Sequence, residues 1–303
     1  MNSIWINTHE RYHEIIAAPT MEEKTALYKQ NFLHPWKNMM DMLVPTMGGD
    51  ATDELAGARM WNWLLPEDLT TTPENLRLME QGGAWTLGEK ALALAAERLT
   101  PYQDRIGFDH VEGWLVLGDP AKSEPAMGGY TGGIDWTSPR LVVQYDGPTQ
   151  ENIHHVQGAA VHELNHLVRL RVFPWDITQT SVADYIIHEG LAESFATALF
   201  GEDVLGYYVT RFDEAALGTA RTLIEDGLEK TGFNVIRGYI FGDWFAEKWG
   251  FEKMGMPNYG GYAVGYHVVQ AFLKRTGISA VEATFLPARE IINESGYFAR
   301  QMA

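Results

Sequence analysis

The segment His162-Glu163-Leu164-Asn165-His166 contains the residue types and the spacing that could hold a divalent metal ion. In an α-helix, side chains four residues apart lie one turn apart on the same face. Two imidazoles placed in this way could both contact one zinc ion at about 2.0–2.1 Å. Glu163 is offset from the two histidines, and its carboxylate could instead contact a water molecule held by the ion.

The surrounding residues predict the helix that this spacing requires. Thr149 has the residue type of a helix N-cap, and the predicted helix runs to about Arg171. His162 and His166 share one face of this helix, and an apolar stripe on another face would contact the core. The stripe consists of Ile153, Val156, Ala160, Leu164 and Leu167.

A second helix carries the acidic residues that could complete a metal site. Ser181 with Asp184 forms a capping box at its start, and Gly201 ends it. The 22 residues between His166 and Glu189 are enough for a turn, so a glutamate of this helix could face the histidines. Glu193 lies one turn after Glu189 on the same face. We therefore predict that Glu193 accepts the ring N–H of a zinc-bound histidine.

Three segments of the chain resemble a known family. The segments are HELNH at 162–166, EGLAE at 189–193 and GYAVGY at 261–266. Together they resemble the gluzincin metallopeptidases, and more closely the bacterial family described as predicted Zn-dependent proteases (YjaZ type). The resemblance implies a zincin-like catalytic core with one zinc ion per chain, held by His162, His166 and Glu189. The Gly-Ala-Met-Glu-Asn signature of the aminopeptidases, which recognises a free amine, is absent.

Three protein ligands leave a fourth position for water, which is typical of a catalytic zinc site. Zinc lowers the pKa of such a water to about 7, and Glu163 is the predicted general base. A developing oxyanion usually needs another hydrogen-bond donor. Tyr262 and Tyr266 are the predicted donors, with His267 as a third candidate. Tyrosines at helical spacing are also common core residues, so a purely structural role is the alternative.

The order of elements predicts an α+β fold that is mostly helical. Strand-like runs lie at 114–117, 128–136 and 140–145, so we expect a small antiparallel or mixed sheet packed on the H-E-x-x-H helix. We expect a mainly helical N-terminal region at 1–110 and a zincin-like catalytic region at 111–303, with one continuous domain formed by both as the alternative. The Gly-rich segment at 128–136 favours a hairpin. Alternatively, it or residues 141–145 could bind a substrate backbone by strand addition.

Composition limits the partners. The net charge of −17 repels phosphate backbones and anionic lipid, so neither nucleic acid nor membrane is an expected partner. The chain contains no cysteine, so thiolate ligands and disulfides are excluded. The N-terminus lacks the pattern of a signal peptide, and we expect a cytoplasmic protein.

Three functions remain open at this stage. The first is a zinc peptidase with a peptide or protein as substrate. The second is a zinc hydrolase or lyase that acts on a non-peptide substrate, because the motif defines the chemistry and leaves the substrate open. The third is a non-catalytic binding protein that keeps a metal for stability. The sequence predicts neither the oligomeric state nor the choice between endo- and exopeptidase.

Overall fold

Helices outnumber strands in the computed structural model, which describes residues 1–50, 52–123 and 128–299. The α+β prediction, with mostly helix and one small sheet, is confirmed. The helices before the histidine motif are α1 (Thr8–Ala17), α2 (Met21–Tyr28), α3 (Lys37–Thr46), α4 (Ala56–Met60), α5 (Glu74–Gln81), α6 (Ala84–Leu99) and α7 (Gln103–Ile106).

The histidine motif lies on α8 (His155–Val172), which is followed by further helices. These are α9 (Val182–Phe200), α10 (Tyr207–Thr210), α11 (Glu214–Gly227), α12 (Phe233–Phe241), α13 (Asp243–Trp249), α14 (Gly260–Thr276), α15 (Ala280–Ala283) and α16 (Ala288–Ser295). None of the helices in the described ranges has both the length and the apolar character that a membrane crossing needs.

The chain divides into two compact units. Unit 1 contains residues 1–97 and 108–163, and unit 2 contains residues 98–107 and 164–303. The sheet lies in unit 1, and helices α9 to α16 lie in unit 2. The regions 1–110 and 111–303 stay a prediction from the sequence.

The sheet of unit 1 has the strand order β1-β2-β4-β3. Its strands are β1 (Asn2–Trp5), β2 (His110–Leu117), β3 (Tyr130–Asp135) and β4 (Arg140–Tyr145). The first three strands in this order pair in parallel, and β3 pairs antiparallel with β4, so the sheet is mixed. The predicted Gly-rich hairpin is therefore present as β3 and β4. It leaves β3 at one edge of the described sheet.

Helix α8 begins later than the sequence predicts. The predicted N-cap is Thr149, but the helix starts at His155. Thr149 and Asn152 instead exchange hydrogen bonds between side chain and backbone, at 2.7 and 3.1 Å, and this stabilises a separate turn. The motif lies well inside the helix, so the correction does not change the spacing of His162 and His166.

Two glycines allow helices α9 and α14 of unit 2 to pack with their backbones in close contact. A Cβ added to Gly190 would lie 2.2 Å from the carbonyl oxygen of Gly265, and one added to Gly265 would lie 2.0 Å from that of Ile186. Any larger residue would force the two helices apart. Because Glu189 directly precedes Gly190, this contact sets the position of the Glu189 backbone. The predicted capping box of Ser181 and Asp184 is confirmed at the start of α9.

Candidate metal site

His162, His166 and Glu189 lie together, as the sequence predicts for metal ligands. One ligand atom from each residue lies within 4.8 Å of the corresponding atoms of the other two. All three side chains are buried, with exposed fractions of 5 %, 8 % and 4 %. Buried acidic and basic groups normally pair with each other or coordinate a metal. The group therefore has the composition and the burial of a metal site.

The donor atoms of this group fit zinc. Two imidazole nitrogens and a carboxylate oxygen form a common donor set of catalytic zinc sites. Ligand atoms at tetrahedral positions around one zinc ion lie about 3.3–3.4 Å apart. Nε2 of His166 lies 3.3 Å from Oε2 of Glu189. The three residues are thus compatible with one zinc ion.

Two residues support the ligand His166: His188, for which the sequence predicts a structural role, and Asn165, which sequence reasoning missed. The ring of His188 stacks on the ring of His166, with centroids 4.0 Å apart and an interplanar angle of 7°. Asn165 is fully buried and donates from Nδ2 to the hydroxyl oxygen of Thr284 at 2.8 Å. This bond restricts rotation of α8 about its axis and so helps to direct His166. The position of an asparagine within the H-E-x-x-H segment is the sequence signal that could have indicated this role for Asn165.

Glu163 approaches the edge strand β3 within unit 1. A Cβ added to Gly132 would lie 2.2 Å from Oε1 of Glu163, so the carboxylate occupies the space that the missing side chain leaves. Glu163 is 7 % exposed, whereas Gly132 is solvent-exposed. The carboxylate is thus held beside a strand edge that solvent reaches. No sequence pattern indicates this contact.

The carboxylate of Glu193 contacts the segment that follows α9. The backbone N–H of Gly206 donates to its Oε2 at 2.9 Å, and the hydroxyl of Tyr208 donates to its Oε1 at 2.5 Å. Glu193 is buried. Its two hydrogen bonds connect this segment to the helix that carries Glu189. Its contact with the ring N–H of a zinc-bound histidine stays a prediction.

The two candidate tyrosines of α14 have different surroundings. Burial and the charge of Glu189 raise the pKa of Tyr262 well above its usual value, so its hydroxyl keeps its proton. Tyr266 packs with Leu205 and Val209, and burial raises the pKa of its hydroxyl. The effect of Glu189 on the pKa of Tyr262 indicates that the Tyr262 hydroxyl lies near the Glu189 carboxylate. The catalytic role of either tyrosine stays a prediction.

The family that this chain matches is described as zinc-dependent, which agrees with the predicted metal site. The model of the family described as "Predicted Zn-dependent protease (DUF2268)" matches residues 136–293, more than half of the chain. The "Uncharacterized protein YjfC" of Bacillus subtilis (strain 168) is 31 % identical over 306 residues, which cover 99 % of this chain and 100 % of that protein. No solved structure matches this chain.

The matched residues include the whole group of His162, His166 and Glu189. The family description and this buried group together support a zinc hydrolase in general terms. They also confirm the family resemblance that the three sequence segments indicated. The chain belongs to the family of predicted Zn-dependent proteases.

Proposed function

We propose that this protein is a zinc-dependent peptidase in which His162, His166 and Glu189 hold the metal and Glu163 is the general base. The observation that carries the proposal is the buried group of three ligands, whose first histidine directly precedes Glu163 in the chain. Three protein ligands are typical of catalytic zinc sites, whereas structural sites usually have four. This difference favours an enzyme over a protein that keeps zinc for stability.

The catalytic steps follow from the positions of the side chains. Zinc, when bound, would activate water as a nucleophile and polarise the carbonyl group of the scissile bond. Glu163 takes up a proton on its carboxylate and returns it to the leaving amine. Its neighbour Gly132 leaves the space that this carboxylate occupies. Tyr262 keeps its hydroxyl proton and donates a hydrogen bond to the developing oxyanion.

Strand β3 supports a peptide as the substrate. It lies at an edge of the described sheet, and Thr131 and Gly132 are solvent-exposed. An edge strand offers backbone N–H and C=O groups to which an extended peptide can add as a further strand. Because Gly132 contacts Glu163, a peptide bound along β3 would lie beside the general base.

A peptide library tests the proposed function. The full chain, loaded with zinc, is incubated with mixed peptides, and new termini are identified by mass spectrometry. We expect cleavage that a zinc chelator stops and that added zinc restores. An intact library with fully zinc-loaded protein would contradict the peptidase proposal, and it would favour a non-peptide substrate or a non-catalytic role.

The Gly132→Ala variant should retain zinc and lose activity. The new methyl group would displace the Glu163 carboxylate, and a misplacement of about 1 Å in a catalytic group can lower turnover by about 100-fold. The measurement is kcat on a cleaved peptide, together with zinc content. Gly133→Ala is the matched control, because the nearest atom to its new Cβ would be Val142 Cγ1 at 3.8 Å. Equal losses in both variants would refute a specific effect on Glu163.

A further inference from the structure

Arg237 of unit 2 lies among four aromatic rings. The centre of its guanidinium group is 4.3 Å from the ring of Trp249 and 4.8 Å from that of Phe233. Phe251 and Phe241 lie at 5.2 and 5.7 Å. These distances are within the range of cation–π attraction. Aromatic rings contain no lone-pair acceptor, however, so they leave the N–H groups of the guanidinium without a strong hydrogen bond.

The other sheltered arginines of the chain have such acceptors. Arg11 donates to a backbone carbonyl oxygen, and Arg169 donates to two. Arg140 donates to the carboxylates of Glu112 and Asp135. Among the described residues, no carboxylate or carbonyl oxygen accepts a hydrogen bond from Arg237. This is unusual in a chain with 40 acidic and 23 basic residues.

Solvent reaches the aromatic rings around Arg237. Phe233 and Trp249 have exposed fractions of 41 % and 39 %, and Arg237 itself is partly buried. Burial lowers the pKa of the guanidinium, because the charge loses part of its hydration. An anion that entered from solvent would find a partly desolvated cation with free donor capacity. Planar carboxylates are the anions that fit the fork of a guanidinium group.

A row of aromatic rings, here called the aromatic wall, extends from Arg237 toward the ligands of the metal site within unit 2. It consists of Phe241, Tyr262, Tyr185 and His188. The ring of Phe241, which lies beside the Arg237 guanidinium, is 6.2 Å from the ring of Tyr185 and 5.9 Å from that of Tyr262. The ring of Tyr185 is 6.5 Å from that of His188, which stacks on His166. A molecule that contacts Arg237 could therefore follow this wall toward the metal ligands.

We propose that Arg237 binds the C-terminal carboxylate of a peptide whose last residue is aromatic. The guanidinium donates two hydrogen bonds to the carboxylate, and the exposed rings of Phe233 and Trp249 contact the aromatic side chain. The choice of a peptide as the ligand rests on the proposed function. The carboxylate site itself depends only on the surroundings of Arg237.

Direct binding tests this site without any need for turnover. The probes are N-acetyl-L-phenylalanine and N-acetyl-L-phenylalaninamide, which differ mainly in charge, titrated into the full chain by ligand-observed NMR. We expect the acid to bind on the order of 10- to 100-fold more tightly than the amide, as for other charge-assisted hydrogen bonds. The preference for the acid should persist when EDTA removes metal ions, because Arg237 rather than a metal ion provides it. Equal affinities, or a preference that EDTA removes, would overturn the proposal.

Variants locate the site. Arg237→Gln should lower the affinity for the acid to that for the amide. Arg237→Lys should keep part of the preference for the acid, because lysine retains the positive charge but lacks the paired N–H donors of the guanidinium group. Arg221→Gln is the matched control, because Arg221 also lies over an aromatic ring, that of Tyr297 at 4.8 Å, but on α11. An unchanged preference in Arg237→Gln would overturn the assignment.

The two proposals can fail separately. A protein that binds the acid selectively but leaves every peptide intact would lack the proposed activity and keep the carboxylate site. A protein that cleaves peptides with C-terminal acids and amides equally well would be a peptidase without this site. In an active protein with the site, Arg237→Gln should raise KM for free-acid peptides alone and leave kcat and zinc content unchanged.

Discussion

The Glu163→Gln variant should bind zinc as the wild type does and lose about 100- to 10,000-fold in kcat on a cleaved peptide. Glutamine has nearly the same shape as glutamate, so the carboxamide can occupy the space beside Gly132. It has no basic oxygen that can take up the proton of an attacking water. The three ligands are unchanged, and zinc content is therefore expected to stay the same.

Kinetics and metal analysis of the same preparation check this result. Glu151→Gln is the matched control, because Glu151 is exposed and lies in the turn before α8. It should retain full activity. Wild-type turnover in Glu163→Gln would show that another group is the general base. A parallel loss of zinc and activity would instead indicate that Glu163 is a ligand.

The His162→Ala variant should lose both zinc and activity. Removing one of three ligands leaves the buried pair of His166 and Glu189, which is too few for tight binding. We expect zinc affinity to fall by at least about 100-fold, because changes to groups outside the ligand set already cost about 10- to 100-fold. Purified variant should contain less than about a tenth of the zinc that the wild type contains.

Thermal unfolding gives a second measurement of the lost site. Zinc at about 100 times its Kd would stabilise the wild type by about 2.7 kcal/mol, because zinc would bind the folded chain. Chelation should therefore lower the Tm of the wild type and leave that of His162→Ala unchanged. His34→Ala is the control, since His34 is exposed and lies outside the group of three ligands. Full zinc content in His162→Ala would refute the ligand assignment.

Local features of the sequence determined the central part of the site. The spacing of His162 and His166 places both on one helix face, because the period of an α-helix depends only on backbone geometry. The capping box of Ser181 and Asp184 defines the start of α9 through contacts within three residues. The mostly helical α+β fold also followed from the sequence, because periodicity and turn residues are local signals.

Only the tertiary structure decided how the remaining parts meet. Glu189 and Glu193 share a face of α9, and the close contact at Gly190 and Gly265 sets the position of that helix. No sequence pattern links Gly132 to Glu163. Because Gly132 has no side chain, it nevertheless leaves the space that the Glu163 carboxylate occupies. The aromatic surroundings of Arg237 likewise combine separate segments. Such contacts depend on the packing of surfaces far apart in the chain, and no local periodicity encodes that packing.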